Sequence, residues 1–301
     1  MRKFIVSDLH GNGEVYNSIM GYLENISLTE KVELFINGDL IDRGIDSFDM
    51  FIDVYERING KGNIKINYLG GNHELMMWQA LKEREPGKNP RRWCNWLCNG
   101  GWIIEGELDL HEEKLTNDLC KFLGKLKIYH KFEEKVQRNN ILLVHAQAPK
   151  NIKDICDLKI SDNNNVVEKA VWKRRELLGE KRVFLGKENY LTIIGHTPVS
   201  DSRGFTYDRI DNCFNIDGGC ACYSSGSFNY DKVPLVEVLD GYIKILIFNH
   251  NNEIIESYIF DGELYKMTNK EVEKERLFID HSNDNCMEKQ KTLIKQILEI
   301  R

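Results

Sequence analysis

The segment Gly38-Asp39-Leu40-Ile41-Asp42-Arg43-Gly44 follows the short apolar run Glu33-Leu34-Phe35-Ile36-Asn37, which has the length and residue types of a buried strand. Glycines at both ends of the segment let the backbone turn sharply where the strand ends. The turn therefore presents two carboxylates and a guanidinium at the carboxyl end of a strand, where open α/β sheets bind ligands. Taken alone, an acidic turn of this kind is more often an ordinary helix start than a functional site.

The same arrangement occurs at two more strand ends. The first predicted strand ends in Ser7-Asp8-Leu9-His10-Gly11, and the third ends in Gly70-Gly71-Asn72-His73-Glu74. Asp8 and His10 are two residues apart, so on an extended strand end they point to the same side. A carboxylate oxygen and an imidazole nitrogen are suitable ligands for a first-row divalent metal. Three consecutive strand–loop–helix units with ligand-type residues on every loop favour a functional site over a purely structural role.

The composition bounds the class of protein. A chain of 301 residues with 42% hydrophobic and 29% charged residues is long enough for one large α/β domain with a sizeable core. No apolar run approaches the ~20 residues that a membrane span requires, and the first apolar segment is too short for a signal peptide. We therefore expect a cytoplasmic protein without membrane contact. The net charge of −6 gives no indication of stable nucleic-acid binding.

The loops after the first three predicted strands carry a family resemblance. Their segments resemble the three signature blocks of the phosphoprotein phosphatase (serine/threonine phosphatase) branch of the calcineurin-like metallophosphoesterases. The segments are Ser7-Asp8-Leu9-His10-Gly11, Gly38-Asp39-Leu40-Ile41-Asp42-Arg43-Gly44 and Gly71-Asn72-His73-Glu74. Two later apolar strands fit the same pattern, because Ile141-Leu142-Leu143-Val144-His145-Ala146 and Leu191-Thr192-Ile193-Ile194-Gly195-His196-Thr197-Pro198 each end in a histidine. The block that surrounds the second arginine in the eukaryotic enzymes is absent, so the resemblance is closer to bacterial and phage members.

The resemblance implies the fold. The family has a four-layer α/β/β/α sandwich with two central mixed sheets, and we assign residues 1–265 to that domain with a lid-like insertion at about 83–131. The alternating pattern predicts strands over residues 235–239, 242–248 and 254–260, which we expect to form the second sheet. We assign residues 266–301 to a C-terminal helical extension, with a helix over 287–300.

The resemblance also implies a site for two divalent metal ions. The first ion would be held by Asp8, His10 and Asp39. Asp39 would bridge to the second ion, which Asn72, His145 and His196 would complete. A hydroxide between two such ions is a nucleophile at neutral pH that attacks the phosphate. Nitrogen and oxygen ligands suit Mn²⁺, Fe, Zn²⁺ or Ni²⁺, and manganese is the metal that we expect from the resemblance.

The resemblance gives roles to four further residues. His73 would act as general acid on the leaving-group oxygen, and Asp42 would hydrogen-bond its other ring nitrogen and favour the protonated form. Arg43 would clamp the phosphate, a task that suits a planar bidentate donor. Arg174, with Arg175 as the alternative, would be the second clamp. An exposed basic turn of a helix would explain these last two arginines equally well.

Residues 91–102 contain two arginines and three tryptophans beside Asn99-Gly100-Gly101. They resemble a lid segment of bacterial and phage members. A substrate-binding role for Arg91, Arg92, Trp93 and Trp96 competes with a packed aromatic cluster under a loop, and the packed cluster is favoured.

Three functions remain open. The first is a metal-dependent phosphomonoesterase that acts on phosphoserine or phosphothreonine in proteins. The second is a symmetrical dinucleoside-polyphosphate hydrolase, or another nucleotide or RNA-end phosphatase, in which Trp93 and Trp96 stack on a base. The third is a catalytically dead scaffold that binds phosphopeptides. The expected partner is thus a phosphorylated protein or a nucleotide, and the sequence predicts no oligomeric state.

Overall fold

Two β-sheets face each other and helices flank the pair, in a computed structural model that describes residues 1–60, 62–83, 90–150, 157–174, 185–199, 201–223, 232–251 and 253–276. This arrangement confirms the predicted α/β/β/α sandwich. Among the described residues, no helix has both the length and the apolar character that crossing a bilayer requires.

Three parallel strands carry the loops singled out in the sequence. They are β1 (Arg2–Val6), β2 (Val32–Asn37) and β3 (Ile64–Leu69). Helices α1 (Gly13–Ser27), α2 (Ser47–Ile58) and α3 (Asn72–Lys82) follow them in turn. Helix α3 begins directly after the glycine turn, so that Asn72 and His73 lie in its first turn.

The second sheet lies between β3 and the C-terminal strands in sequence. Its strands are β4 (Tyr129–Val136), β5 (Asn139–Val144), β6 (Tyr190–Ile194), β7 (Thr206–Asp208) and β8 (Cys213–Asn215). Their order in space is β4-β5-β6-β8-β7, with β5, β6 and β8 parallel and both edge strands antiparallel. Parallel pairing brings the carboxyl ends of β5 and β6, and hence His145 and His196, to the same edge.

The predicted place of the C-terminal strands is wrong. Strands β9 (Val233–Val238), β10 (Ile243–Phe248), β11 (Ile254–Phe260) and β12 (Leu264–Lys266) extend the first sheet, in the order β12-β11-β10-β9-β1-β2-β3. β9 pairs antiparallel with the free edge of β1, and Ile5 lies opposite Val236. A partner more than 200 residues away leaves no trace in the local pattern, which shows only that these segments are strands.

Two apolar layers hold the sandwich together. Ile5 and Phe35 lie with residues of the second sheet in a cluster between the sheets, whereas Phe4 and Leu34 belong to a cluster that includes the helices. Neighbouring residues divide between the layers because side chains alternate across a strand. Because both of its faces are covered, β2 is buried throughout and its sequence does not alternate between apolar and polar residues.

The insertion after α3 is helical. It consists of α4 (Pro90–Trp96), a π-helical turn (Leu97–Gly101), α5 (Trp102–Leu108) and α6 (Glu113–Lys125). Short helices α7 (Asn165–Trp172) and α8 (Cys220–Tyr223) follow later in the chain.

The C-terminal extension is described only as far as residue 276. Helix α9 (Asn269–Arg276) buries Val272 and accepts a hydrogen bond from Tyr22 Oη on Glu275 Oε2 at 2.6 Å. The predicted helix over 287–300 lies outside the described residues.

Candidate active site

The loops after β1, β2 and β3 and the ends of β5 and β6 meet at one edge of the sandwich. Their backbones are joined, because Asp8 N donates to Gly38 O at 3.2 Å and Gly195 N donates to His145 O at 2.8 Å. Left-handed φ angles are uncommon in residues other than glycine and cluster at functional sites. Six of the ten such residues in the described chain lie here: Asp8, His10, Asp39, Asp42, Arg43 and His196.

Glu74 ties two of these loops together. Its Oε2 accepts hydrogen bonds from Asp39 N at 2.9 Å and Gly71 N at 2.7 Å, while Oε1 accepts from Leu40 N at 3.1 Å and Tyr68 Oη at 2.6 Å. The residue is fully buried. Glu74 was not among the predicted functional residues, although an acidic residue in the first turn of a helix, directly after a glycine turn, is a signal for such capping.

Three histidines are oriented by backbone carbonyls. His10 Nδ1 lies 3.1 Å from Ile41 O, His145 Nδ1 lies 2.7 Å from Asn37 O, and His196 Nε2 lies 3.1 Å from Trp172 O. A carbonyl oxygen only accepts, so each of these nitrogens carries the hydrogen when the bond forms. When the ring is neutral, the opposite nitrogen is then an acceptor, as in histidines that bind metals.

Those opposite nitrogens converge on Asp39. Its Oδ2 lies 3.5 Å from His10 Nε2, and its Oδ1 lies 3.4 Å from His145 Nε2. Two groups of ligand atoms within 4.8 Å of one another result, one made of His10, Asp39 and His73 and the other of Asp39, His145 and His196. Because Asp39 belongs to both, the geometry suits two cations that share a carboxylate.

The amide of Asn72 supports the same interpretation. Its Oδ1 lies 2.7 Å from His196 Nδ1 and 3.2 Å from both His145 Nε2 and Asp39 Oδ2. All of these neighbours can act as acceptors, and acceptors this close to one another repel. Either the amide nitrogen occupies this position and donates to them, or a cation is coordinated by these atoms. The predicted ligands Asn72, His145 and His196 are therefore brought together around Asp39.

Asp8 lies beside the first group without joining it. Its two oxygens accept hydrogen bonds from His196 N at 3.0 and 3.1 Å, and Oδ2 also accepts from Ser7 Oγ. The structure thus groups His10 and Asp39 with His73, for which the family resemblance implies a role in acid catalysis. Asp8 instead links the loop after β1 to the end of β6.

Burial and neighbouring charges favour the metal-binding forms of His10, His196 and Asp39. His145 differs, because burial is outweighed there by the carboxylates of Asp39 and Asp8, which raise the pKa of His145 to about 10. Burial, together with the His73 charge, holds the pKa of His10 well below its ordinary value, and burial with the charge of His145 lowers the pKa of His196 to about 3. Both rings are therefore neutral, as a metal ligand must be. Burial opposes ionisation of Asp39, but the surrounding histidines outweigh it and hold the pKa of Asp39 well below its ordinary value.

His73 has different partners. Its Nδ1 lies 2.7 Å from Asp42 Oδ2, and its Nε2 lies 3.1 Å from Arg43 Nη2 and 3.9 Å from Asp39 Oδ2. Burial lowers the pKa of His73, but the carboxylates of Asp39 and Asp42 outweigh it, so that the net shift is upward. The carboxylates of Asp42 and Asp39 favour the protonated ring of a general acid, whereas the guanidinium of Arg43 opposes it.

Two exposed arginines reach the two groups. Besides Arg43 at His73, Arg174 places its Nε 3.1 Å from His196 Nε2 and its Nη2 3.5 Å from His196 O. His196 Nε2 cannot donate to Trp172 O and accept from Arg174 at the same time, so a metal-binding His196 leaves this guanidinium free for another acceptor. Arg175 lies outside the described residues.

The insertion contributes a buried tryptophan. Trp96 is fully buried, and its Nε1 donates to Asp42 Oδ1 at 3.0 Å and lies 3.1 Å from Oδ2, while Trp93 packs edge-on against it at 5.5 Å between ring centroids. The expected packed aromatic cluster is thus present. A base-stacking role for Trp96 is wrong, because its ring has no open face. Arg91 and Arg92 are exposed, and Arg92 pairs with Glu83 at 2.8 Å.

Comparisons with known proteins identify a matching family and similar folds. A family model described as calcineurin-like phosphoesterase matches residues 1–222. The fold is similar to a cold-active protein-tyrosine phosphatase of a psychrophilic Shewanella species, with 12% identity, a TM-score of 0.50 and coverage of 89% of this chain and 80% of that chain. It is also similar to a protein serine/threonine phosphatase from Saccharomyces cerevisiae, with 15% identity, a TM-score of 0.51 and coverage of 80% and 73%. These likenesses concern the fold. No curated protein matches the chain.

Proposed function

The chain belongs to the calcineurin-like phosphoesterase family, and we propose that it is a metal-dependent phosphatase that hydrolyses phosphoserine or phosphothreonine in proteins. The observation that carries the proposal is the position of His73. One ring nitrogen bonds the buried Asp42 and the other faces Arg43 at the edge of the first ligand group. A scaffold that only binds phosphate would not need an imidazole oriented by a buried carboxylate.

Divalent ions bound at the two groups around Asp39, with manganese as the expected metal, would supply Lewis-acid activation of the phosphate and of the attacking water. The residues that would hold them are His10 and Asp39 for one, and Asp39, Asn72, His145 and His196 for the other, with Asp8 beside the first. The orientation of the histidines by Ile41, Asn37 and Trp172 supports this assignment.

The arginines bind the phosphate in this proposal. Both guanidinium groups now face ring nitrogens, and both side chains are exposed enough to turn toward a charged oxygen. A guanidinium only donates, so while Arg43 contacts Nε2 of His73 that nitrogen accepts and carries no hydrogen. When Arg43 moves to the phosphate, Nε2 is released to hold a proton.

His73 then delivers that proton. Asp42 keeps Nδ1 protonated and stabilises the imidazolium, as an orienting carboxylate does beside a catalytic histidine. The proton on Nε2 passes to the oxygen of the departing serine or threonine. Without this proton the serine or threonine would have to leave as an alkoxide, which is a poor leaving group. The buried histidine–aspartate pair therefore assists the departure of the leaving group.

Hydrolysis assays on metal-stripped protein with Mn²⁺ added back test the proposal. The substrates are a phosphothreonine peptide, diadenosine tetraphosphate and p-nitrophenyl phosphate, with His73→Ala and Asp39→Asn as controls. We expect the highest kcat/KM on the peptide and large losses in both variants. A preference for the dinucleotide would replace the protein substrate by a nucleotide, and inactivity on all three substrates with metal bound would favour the dead scaffold.

A further inference from the structure

A hydrogen-bonded chain runs from the insertion to the proposed general acid. The Trp96 indole N–H donates to the Asp42 carboxylate at 3.0 Å, and that carboxylate bonds His73 Nδ1 at 2.7 Å. All three side chains are at most 1% exposed, so water does not compete for these bonds.

The backbone of the insertion holds the neighbouring residue as well. Arg43 N donates to Gly100 O at 3.2 Å. Gly100 has φ 103°, and a Cβ there would lie 2.7 Å from Arg43 Cγ. A Cβ on Gly101 would lie 2.3 Å from Trp96 Nε1. The two glycines therefore allow the insertion to touch Asp42 with a side chain and Arg43 with its backbone.

We propose that Trp96 is a positioning residue for acid catalysis, which sets the Asp42 carboxylate so that His73 presents Nε2 to the leaving group. The inference rests on the proposed function and deepens it. An indole N–H can only donate. It therefore holds the carboxylate in its accepting orientation and restricts its rotation about χ2, which is otherwise a broad torsion. A phenylalanine at this position would fill most of the space of the indole but could not donate a hydrogen bond. The Asp42 carboxylate would then lose its bond to Trp96 and keep its bond to His73.

Dependence on the leaving group separates this role from simple packing. A strongly acidic phenol leaves an aryl phosphate as the phenolate, without a proton from the enzyme. A weakly acidic phenol is a poorer leaving group and needs the general acid. A variant that only loosens the helix lowers the rates of all esters alike. A variant that misplaces His73 lowers the rates of esters with poor leaving groups more.

The experiment measures kcat and KM of wild type and Trp96→Phe for 2,4-dinitrophenyl, p-nitrophenyl and phenyl phosphate with Mn²⁺. We expect kcat on phenyl phosphate to fall about tenfold more than kcat on the dinitrophenyl ester, with KM nearly unchanged. In a His73→Ala background the same substitution should cause no further selective loss. Trp93→Phe alters the neighbouring indole, which packs edge-on against Trp96, and serves as the matched control for packing. Any loss in that variant should be equal for the three esters.

Replacement of Trp96 by benzothienylalanine covers the case in which Trp96→Phe does not fold, because sulfur takes the place of the N–H in a ring of the same shape. Equal losses on the three esters in the folded variants would overturn the role of Trp96 and leave the proposed function intact. A wild-type protein that binds Mn²⁺ and cleaves none of the esters would overturn both.

Discussion

The Glu74 carboxylate holds the backbone of Asp39, since Oε2 accepts the Asp39 N–H at 2.9 Å. The same oxygen accepts from Gly71 N, so one side chain fixes the loops after β2 and β3 relative to each other. Asp39 has φ 50°, an uncommon conformation that requires such support. The shared ligand of the two histidine groups is thus placed by a residue that does not itself face them.

Replacement of Glu74 by Gln tests this support. The amide introduces a donor where the carboxylate now accepts four hydrogen bonds, so at least one backbone N–H loses its partner. We expect the free energy of unfolding to fall by about 1–3 kcal/mol and the affinity for Mn²⁺ to fall with it. Urea unfolding and metal titration measure the two effects, and Glu113→Gln at the exposed start of α6 is the control. Unchanged metal affinity in a destabilised Glu74→Gln protein would show that the loops keep their geometry without it.

Binding of metal to the native state should raise stability through Asp39. A ligand at one hundred times its Kd that binds only folded protein raises the free energy of unfolding by about 2.7 kcal/mol for each site. We expect Mn²⁺ to raise the Tm of the wild type and to have little effect on Asp39→Asn. Asp53→Asn removes a carboxylate that bonds Tyr16 and Arg57 on the surface of α2 and should keep the response. An equal shift in Asp39→Asn would place the ions elsewhere.

The two arginines should differ from His73 in their kinetic effects. Arg43→Lys and Arg174→Lys keep the charge and lose the bidentate fork, so we expect KM for the phosphopeptide to rise about tenfold for each, with smaller changes in kcat. His73→Ala should lower kcat instead. Arg92→Lys, on an exposed pair with Glu83, is the matched control. If Arg174→Lys leaves KM unchanged, Arg174 does not bind the phosphate and is part of an exposed basic turn. Arg43 would then be the arginine that binds the phosphate.

Local patterns predicted the parts of the site that follow strands directly. The carboxylates and histidines of the loops after β1, β2 and β3 lie within a few residues of an apolar run, and the sequence shows them as a set. Contacts across the chain were not predictable in this way. Asp42 and Trp96 are 54 residues apart, and β9 pairs with β1 over more than 200 residues. Asp8 likewise accepts a hydrogen bond from His196 N, which is 188 residues away in the chain. The position of His73 beside His10 and Asp39 also depends on contacts between separate loops.

His130 should make stability depend on pH away from the site. Its ring packs against Phe35 and Phe132, with centroids 4.5 and 4.7 Å away. Burial lowers the pKa of His130 from 6.5 to about 4 despite the opposing charge of Glu33. Between these two values the unfolded chain binds more protons than the folded one, so the free energy of unfolding falls as pH drops from 6.5 toward 4. Partial exposure reduces the effect to about 1–2 kcal/mol. His130→Phe cannot bind the proton, and its urea unfolding curve should lose less stability than the wild type between pH 7 and pH 4.5. Parallel losses in the two proteins over that range would show that His130 does not contribute and that the buried histidines of the site carry the acid sensitivity.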